Sequence, residues 1–279
     1  MQARQLSARE GGRWLAGGLA VFLKNPPLLT LIILAYWLII ALVNSLPVLG
    51  PIAATLSIPA FSVGLMNACR KLDAGEPLEI QVLFSGFRQQ PKSLLTLGGL
   101  YLAVSAVALG ASAIADGGIF VQTMVGGYHP SPEELGSNAF LAAALIALTL
   151  MAPVIMAWWY APILVAWHDM PPAKSLFFSF IACLRNWQAF IAYTGAILLF
   201  GGLIPGIALG LLVSVLPAAA SVVTTLFTLP LIFVLAPTLI ASFYVSYREV
   251  FTTGEANTDG TDAHDRGNAE DNATPRDDA

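Results

Sequence analysis

Six stretches of this sequence run for 16 to 27 residues without an Asp, Glu, Lys or Arg: Leu28 to Leu46, Pro51 to Cys69, Leu94 to Ile114, Ala139 to Val165, Ala189 to Ile204 and Val222 to Tyr247. About 20 apolar helical residues cross the hydrocarbon core of a bilayer. Within that core every backbone polar group must be paired inside the protein, which a helix achieves within one segment. The pattern predicts an all-α integral membrane fold with six transmembrane helices. Only 11% of residues are charged, against about 25% in soluble domains. The polar stretch before Leu28 is too long for a signal-peptide n-region and Ser45-Leu46-Pro47 is a poor cleavage site, so the first span is expected to be retained.

The basic residues give the spans a direction. Arg4, Arg9, Arg13 and Lys24 precede the first span; Arg70, Lys71, Arg88 and Lys92 lie between the second and third. Lys174 and Arg185 separate the fourth and fifth, and Arg248, Arg266 and Arg276 follow the sixth. The alternate loops carry none; the longest, Ala115 to Asn138, contains Asp116, Glu133 and Glu134 instead. Cytoplasmic flanks accumulate Lys and Arg, so both termini are expected in the cytoplasm. Residues 1–27 then form a cytoplasmic amphipathic segment, 28–251 the six-helix domain, and 252–279 an acidic tail too poor in apolar side chains to repay its ordering entropy. Trp14, Trp167, Trp187, Tyr244 and Tyr247 fall near the cytoplasmic ends and are expected to anchor the helices at the interface. Pro205-Gly206 is expected to end the fifth span, with a short interfacial helix after it.

Similar segments precede the first, third and fifth spans: Leu19 to Pro26, Leu83 to Pro91 and Phe178 to Asn186, each ending in a base followed by an amide residue. Pro59 and Pro237 each stand eleven residues before an arginine, Arg70 and Arg248, and a shorter echo starts at Pro162. These correspondences suggest three parallel units, each an interfacial amphipathic helix followed by a two-helix hairpin. The clearest such helix is Met170 to Leu184, with Leu176, Phe177, Phe180, Ile181 and Leu184 on one face. A helix of this kind lies in the membrane surface with its bases near headgroups. Lys24, Arg88, Lys174 and Arg185 are the candidate headgroup contacts, with bracing of the bundle as the alternative role of these segments.

Chemistry is sparse. Ionisable residues inside spans mark ion paths, proton relays and catalytic sites, and these runs contain no Asp, Glu, Lys or Arg. Asp116, followed by Gly117 and Gly118, is the acid near an outer span end; it can cap a break, bind a cation or meet a substrate, and capping is expected. Ser131-Pro132-Glu133-Glu134 reads as a helix start. His129, His168 and His264 are too scattered for a metal site, and no cofactor-binding motif or nucleic-acid patch is present. Cys69 and Cys183 are expected to remain reduced small residues. Gly98-Gly99 and Gly201-Gly202 are expected to permit close helix contact.

The sequence also resembles a family of proteobacterial inner-membrane proteins, over about residues 1 to 250. The similarity rests on Met1-Gln2-Ala3-Arg4, Asn25-Pro26, Leu49-Gly50-Pro51, Leu83-Phe84-Ser85-Gly86-Phe87, Ala115-Asp116-Gly117-Gly118 and Ala173-Lys174-Ser175-Leu176 with Phe177-Phe178-Ser179. A looser similarity links the repeated plan to membrane domains attached to glycerophosphodiester phosphodiesterases, whose catalytic domain is not expected here. The resemblance implies location and architecture. The expected function is that of a non-enzymatic membrane component contacting lipids or another envelope protein. The alternative is an uncoupled transporter of a small molecule or lipid, which a polar cavity reaching Asp116 would favour.

Overall fold

The computed structural model describes residues 4–251, which contain helices and loops and no strand. The expected acidic tail, 252–279, lies outside the described residues. Helix α1 spans Ala8–Phe22, α2 Pro26–Asn44 and α3 Leu49–Ala74; a 3-10 segment, Ile80–Phe87, leads into α4, Pro91–Asp116. Two short helices, α5 (Ile119–Val125) and α6 (Pro132–Leu135), precede α7, Asn138–Trp159, and α8, Ala161–His168. Then come α9 (Pro172–Arg185), α10 (Trp187–Ile197), a π segment (Leu198–Leu203), α11 (Ile204–Val215), a 3-10 turn (Pro217–Ala219) and α12 (Ala220–Phe251).

Six helical stretches are long and apolar enough to cross a membrane: Pro26–Asn44, Leu49–Ala74, Pro91–Asp116, Asn138–His168, Trp187–Val215 and Pro217–Phe251. Local chemistry sets their ends. Asn25 accepts from Leu28 N at 3.3 Å and two prolines open the first turn of α2. Gly75, at φ 72°, ends α3 in the left-handed conformation that favours glycine. Ser131 and Glu134 form a reciprocal capping box on α6.

The three hairpins, α2–α3, α4–α7/α8 and α10/α11–α12, are packed most densely at the end where Lys24, Arg70, Arg88, Lys174 and Arg248 lie. Buried side chains there come from the last turns of α3 (Val63 to Leu72), from α8 (Ala161 to Val165) and from the end of α12 (Ala241 to Phe251). Short elements brace this base in a cyclic order. The 3-10 segment packs on the first hairpin, α9 on the second, and α1 on the third. Thus α1, although first in sequence, closes the ring against α10 and α12.

Small residues make these seats possible, because backbones can then approach closely. A Cβ on Gly11 would collide with the carbonyl of Ala189, and one on Gly18 would lie 2.5 Å from the Thr238 carbonyl. Gly64 and Gly86 play the same part between α3 and the 3-10 segment. On α9 the buried stripe is Ser175, Ser179, Ala182 and Cys183. Of its large side chains Phe177 and Leu184 are exposed, whereas Leu176 and Phe178 are half-buried and pack against the core. The apolar face read from the sequence as facing the acyl boundary thus leaves Phe177 and Leu184 exposed, with Leu176 at its packed edge. Gly98 also lets α4 approach the backbone of α3 at Leu56, whereas Gly202 has open space around it.

Two expectations need correction. The fifth apolar helix does not stop at Ile204: it continues through the π segment to Val215, a stretch of 29 residues. Ile204 N–H reaches back to the Leu199 carbonyl, and this widened turn gives the Pro205 ring room against the preceding turn. The aromatic anchors are also mostly interior. Trp14 is 0% exposed, and Tyr244 and Tyr247 are buried, while Trp187 alone of the five is well exposed at 55%. Their polar atoms have partners inside: Trp14 Nε1 donates to Glu249 at 2.8 Å, and Tyr247 Oη meets His168 Nε2 at 2.6 Å.

Replacement of Gly11 by Leu is expected to unseat α1 and lower the thermal midpoint of the detergent-solubilised protein, at a cost of at least about 1–3 kcal/mol. Gly12, whose Cβ position faces open space, should accept Leu with a much smaller change. Equal midpoints for the two variants would refute the proposed role of the Gly11 seat.

Candidate functional site

Between α7 and α8 the helix breaks at Tyr160, two residues before Pro162. In an uninterrupted helix Tyr160 N–H would bond to the Met156 carbonyl. Here the Ser179 hydroxyl of α9 sits between them, accepting from Tyr160 N at 2.9 Å and donating to Met156 O at 2.8 Å. The inserted hydroxyl satisfies both backbone groups and fixes the bend. Burial pushes the nearby Cys183 thiol up to about 12, which leaves it protonated and unreactive at neutral pH.

The bend helps frame a cavity of about 500 Å³ lined by all three hairpins. Thr55, Pro59 and Ser62 come from α3, Tyr101 from α4, Trp158 and Trp159 from α7, Pro162 from α8, Tyr193 from α10 and Phe243 from α12. At a rise of 1.5 Å per residue, Tyr193 lies about 9 Å along α10 from Trp187. Phe243 lies about 12 Å along α12 from its Phe251 end. The cavity is thus inside the span region, above the dense base. Most of its polar groups are already engaged: Trp158 Nε1 donates to Leu97 O at 3.0 Å, and Tyr193 Oη meets Ser242 Oγ at 2.5 Å. Trp159 Nε1 is fully buried, with the Tyr160 hydroxyl as its polar neighbour.

Asp116 does not line this cavity. Its carboxylate accepts from Gly118 N at 2.9 Å and Phe120 N at 2.6 Å, while Gly117 and Gly118 adopt positive φ. The acid thus caps the turn from α4 into α5. Of the candidate headgroup contacts, Lys24 donates to Asp73 Oδ1 at 3.1 Å and to its carbonyl at 2.8 Å. Lys174 lies 5.8 Å from the Phe178 ring centre. Arg88 and Arg185 are exposed near the ends of the 3-10 segment and α9. These four bases stand on three bracing elements and do not converge on one site.

Two polar clusters at the base were not singled out from the sequence. In the first, Asp73 of α3 joins Lys24, Arg248 and the Tyr244 hydroxyl, tying the ends of α1, α3 and α12 together. In the second, buried Asn67 accepts from Trp167 Nε1 at 2.9 Å and Arg70 Nη2 at 3.2 Å, and donates to Ser85 Oγ at 2.7 Å and Gln89 Oε1 at 3.3 Å. Arg70 also stacks on Trp167, 4.4 Å from the ring centre. The sequence signal for this cluster is an amide inside an apolar run, one helical turn before a base; the Trp167 and Ser85 partners lie too far away in sequence to read.

The sequence is 39% identical over 261 residues to a probable inner membrane protein of Burkholderia thailandensis, covering 91% of this chain and 96% of that one. The chain belongs to this family. It is a multi-pass inner-membrane protein, with six apolar helices of spanning length. No family model matches the chain, and no solved structure does.

Asn67→Ala is expected to leave the Trp167 donor unpaired and to cost about 1–3 kcal/mol. Thermal unfolding in detergent, together with tryptophan emission, would check it. An unchanged midpoint would show that Asn67 is not the organiser of the base.

Proposed function

We propose that the protein is a non-enzymatic, lipid-interacting component of the inner membrane whose central cavity accommodates a lipid chain. The observation that carries this reading is the cavity of about 500 Å³ where the three hairpins meet, lined by apolar and aromatic side chains at span depth. Such concave apolar sites with a few convergent polar groups are the usual form of a ligand site. No carboxylate, imidazole, amine or thiol belongs to the lining, which favours binding over acid–base or nucleophilic catalysis.

The one-sided bases support a topology with both termini in the cytoplasm. The cyclic seating of α1, the 3-10 segment and α9 supports the reading of three related units. In this arrangement the short elements lie at the cytoplasmic interface, where exposed Phe84, Phe87, Phe177 and Leu184 enter the acyl boundary. Partners are therefore membrane lipids, with another envelope protein as a second class. A transport reading is favoured by the π segment of the fifth span and by the position of the cavity between hairpins.

Reporter fusions at Ser45, Tyr128 and the C-terminus should place the first two outside and the last inside; a C-terminal reporter active in the periplasm overturns the topology. Native mass spectrometry of the purified protein should retain lipid, and lipids brominated along the acyl chain should quench tryptophan emission. Ser62→Phe, which narrows the cavity, should reduce both the retention and the quenching. Retention and quenching unaffected by that substitution would refute the cavity as the lipid site. Uptake by reconstituted vesicles, with unchanged lipid binding, would favour transport.

A further inference from the structure

A second cavity, of about 270 Å³, opens at the base between the end of α3 and the 3-10 segment. It is lined by Asn67, Arg70, Lys71, Glu76, Val82, Ser85 and Gln89. It is separate from the central cavity, with which it shares no lining residue. The hydrogen-bond polarity of its wall follows from one group. Trp167 Nε1 can only donate, so the Asn67 oxygen faces it and also takes the Arg70 bond, which turns the Asn67 amide nitrogen toward Ser85 and Gln89.

The consequence is that acceptors are consumed within the wall while donors remain. Ser85 Oγ accepts from Asn67, leaving its hydrogen to point elsewhere; Gln89 uses its oxygen, leaving its NH2 group. Arg70 spends one of five N–H bonds on Asn67 and lies over the Trp167 ring. The Lys71 side chain makes no hydrogen bond or ion pair among the described residues. Two cations and two neutral donors facing one cavity are the chemistry of a phosphate site. Glu76 stands on the same wall, likewise without an ion pair among the described residues. It lies just past the carbonyl end of α3, where the helix dipole favours a cation.

We propose that this cavity binds the phosphodiester of an amine-bearing headgroup, with Arg70, Lys71, Ser85 and Gln89 on the phosphate and Glu76 on the ammonium. Asn67 and Trp167 are positioning residues that aim the donors. A membrane phospholipid is the favoured source, because Ile80, Phe84 and Phe87 of the adjoining 3-10 segment are exposed apolar groups beside the site. This inference rests on the lipid-interacting reading for its ligand source alone; the cavity itself is a different one.

The test uses the full-length protein in nanodiscs of dioleoylphosphatidylcholine doped with dioleoylphosphatidylethanolamine or dioleoylphosphatidylglycerol, with soluble glycerophosphoethanolamine as a separate arm. Lipid retention is read by native mass spectrometry. The ethanolamine lipid should be enriched over both others. Lys71→Gln, at a side chain with no such partner to lose, should reduce its retention about tenfold without moving the thermal midpoint. Glu76→Gln should abolish the preference for ethanolamine over glycerol headgroups while leaving phosphate binding in place. Neither lipid enrichment nor glycerophosphoethanolamine binding in the wild type, or enrichment unchanged in both variants, overturns the proposal. Binding of glycerophosphoethanolamine with no lipid enrichment overturns the membrane source and retains the phosphodiester site. Ser62→Phe distinguishes the two readings: it should impair acyl-chain quenching at the central cavity and leave headgroup selectivity intact.

Discussion

The bundle depends on close backbone approach at its base, where the short helical elements are seated on the hairpins. Lipid tails are as apolar as the helix surfaces, so burial of hydrocarbon gives little drive for spans to associate with one another. What remains is packing and hydrogen bonding, and both need backbones near contact. Gly11 and Gly18 supply that for α1, Gly64 and Gly86 for the 3-10 segment, and the Ser175–Ser179–Ala182–Cys183 stripe for α9. The outer portions of the hairpins have no bracing element seated on them in this way and expose Ile114, Val215 and Leu226. In a membrane these are the surfaces that meet hydrocarbon.

Polar groups at the base complete what packing begins. Buried Asn186 takes a hydrogen bond from Leu6 N at 2.8 Å and donates to the Arg4 carbonyl at 2.9 Å, holding the N-terminal segment at the junction of α9 and α10. Asp73 gathers Tyr244 and Arg248 of α12 and Lys24 of the turn between α1 and α2. Ser179 repairs a broken helix by standing in for one backbone bond. In each case a side chain satisfies a group that low dielectric would otherwise make costly to bury. The base is consequently cross-linked by packing and hydrogen bonds, and the central cavity lies above it where the hairpins part.

Much of the architecture was legible in the residues. Uncharged runs long enough to span marked all six membrane helices, because a charge within them would have to leave water. The Ser131 capping box and the Asp116 turn were legible for a similar reason, since their partners lie within four residues. Errors arose where the partner was remote. Trp14 reads as an interfacial anchor until Glu249 is known to receive its N–H; Pro205 reads as a helix end until the π turn accommodates it. The packed face of α9 was likewise illegible, because Ser179 bonds to the interrupted backbone at Met156 and Tyr160, about twenty residues away.

The sequence by itself determined the membrane environment, the number of spans and the grouping of bases at alternate loops, for these depend on the cost of charge and unpaired backbone in hydrocarbon. Only the tertiary structure decided which face of each short helix packs, which polar side chains meet, and where space is left. Those outcomes depend on contacts between residues as distant as Trp14 and Glu249 or Asn67 and Trp167. Hydropathy is summed along a chain, whereas a cavity or a donor pair is a relation between chains of atoms brought together from several helices.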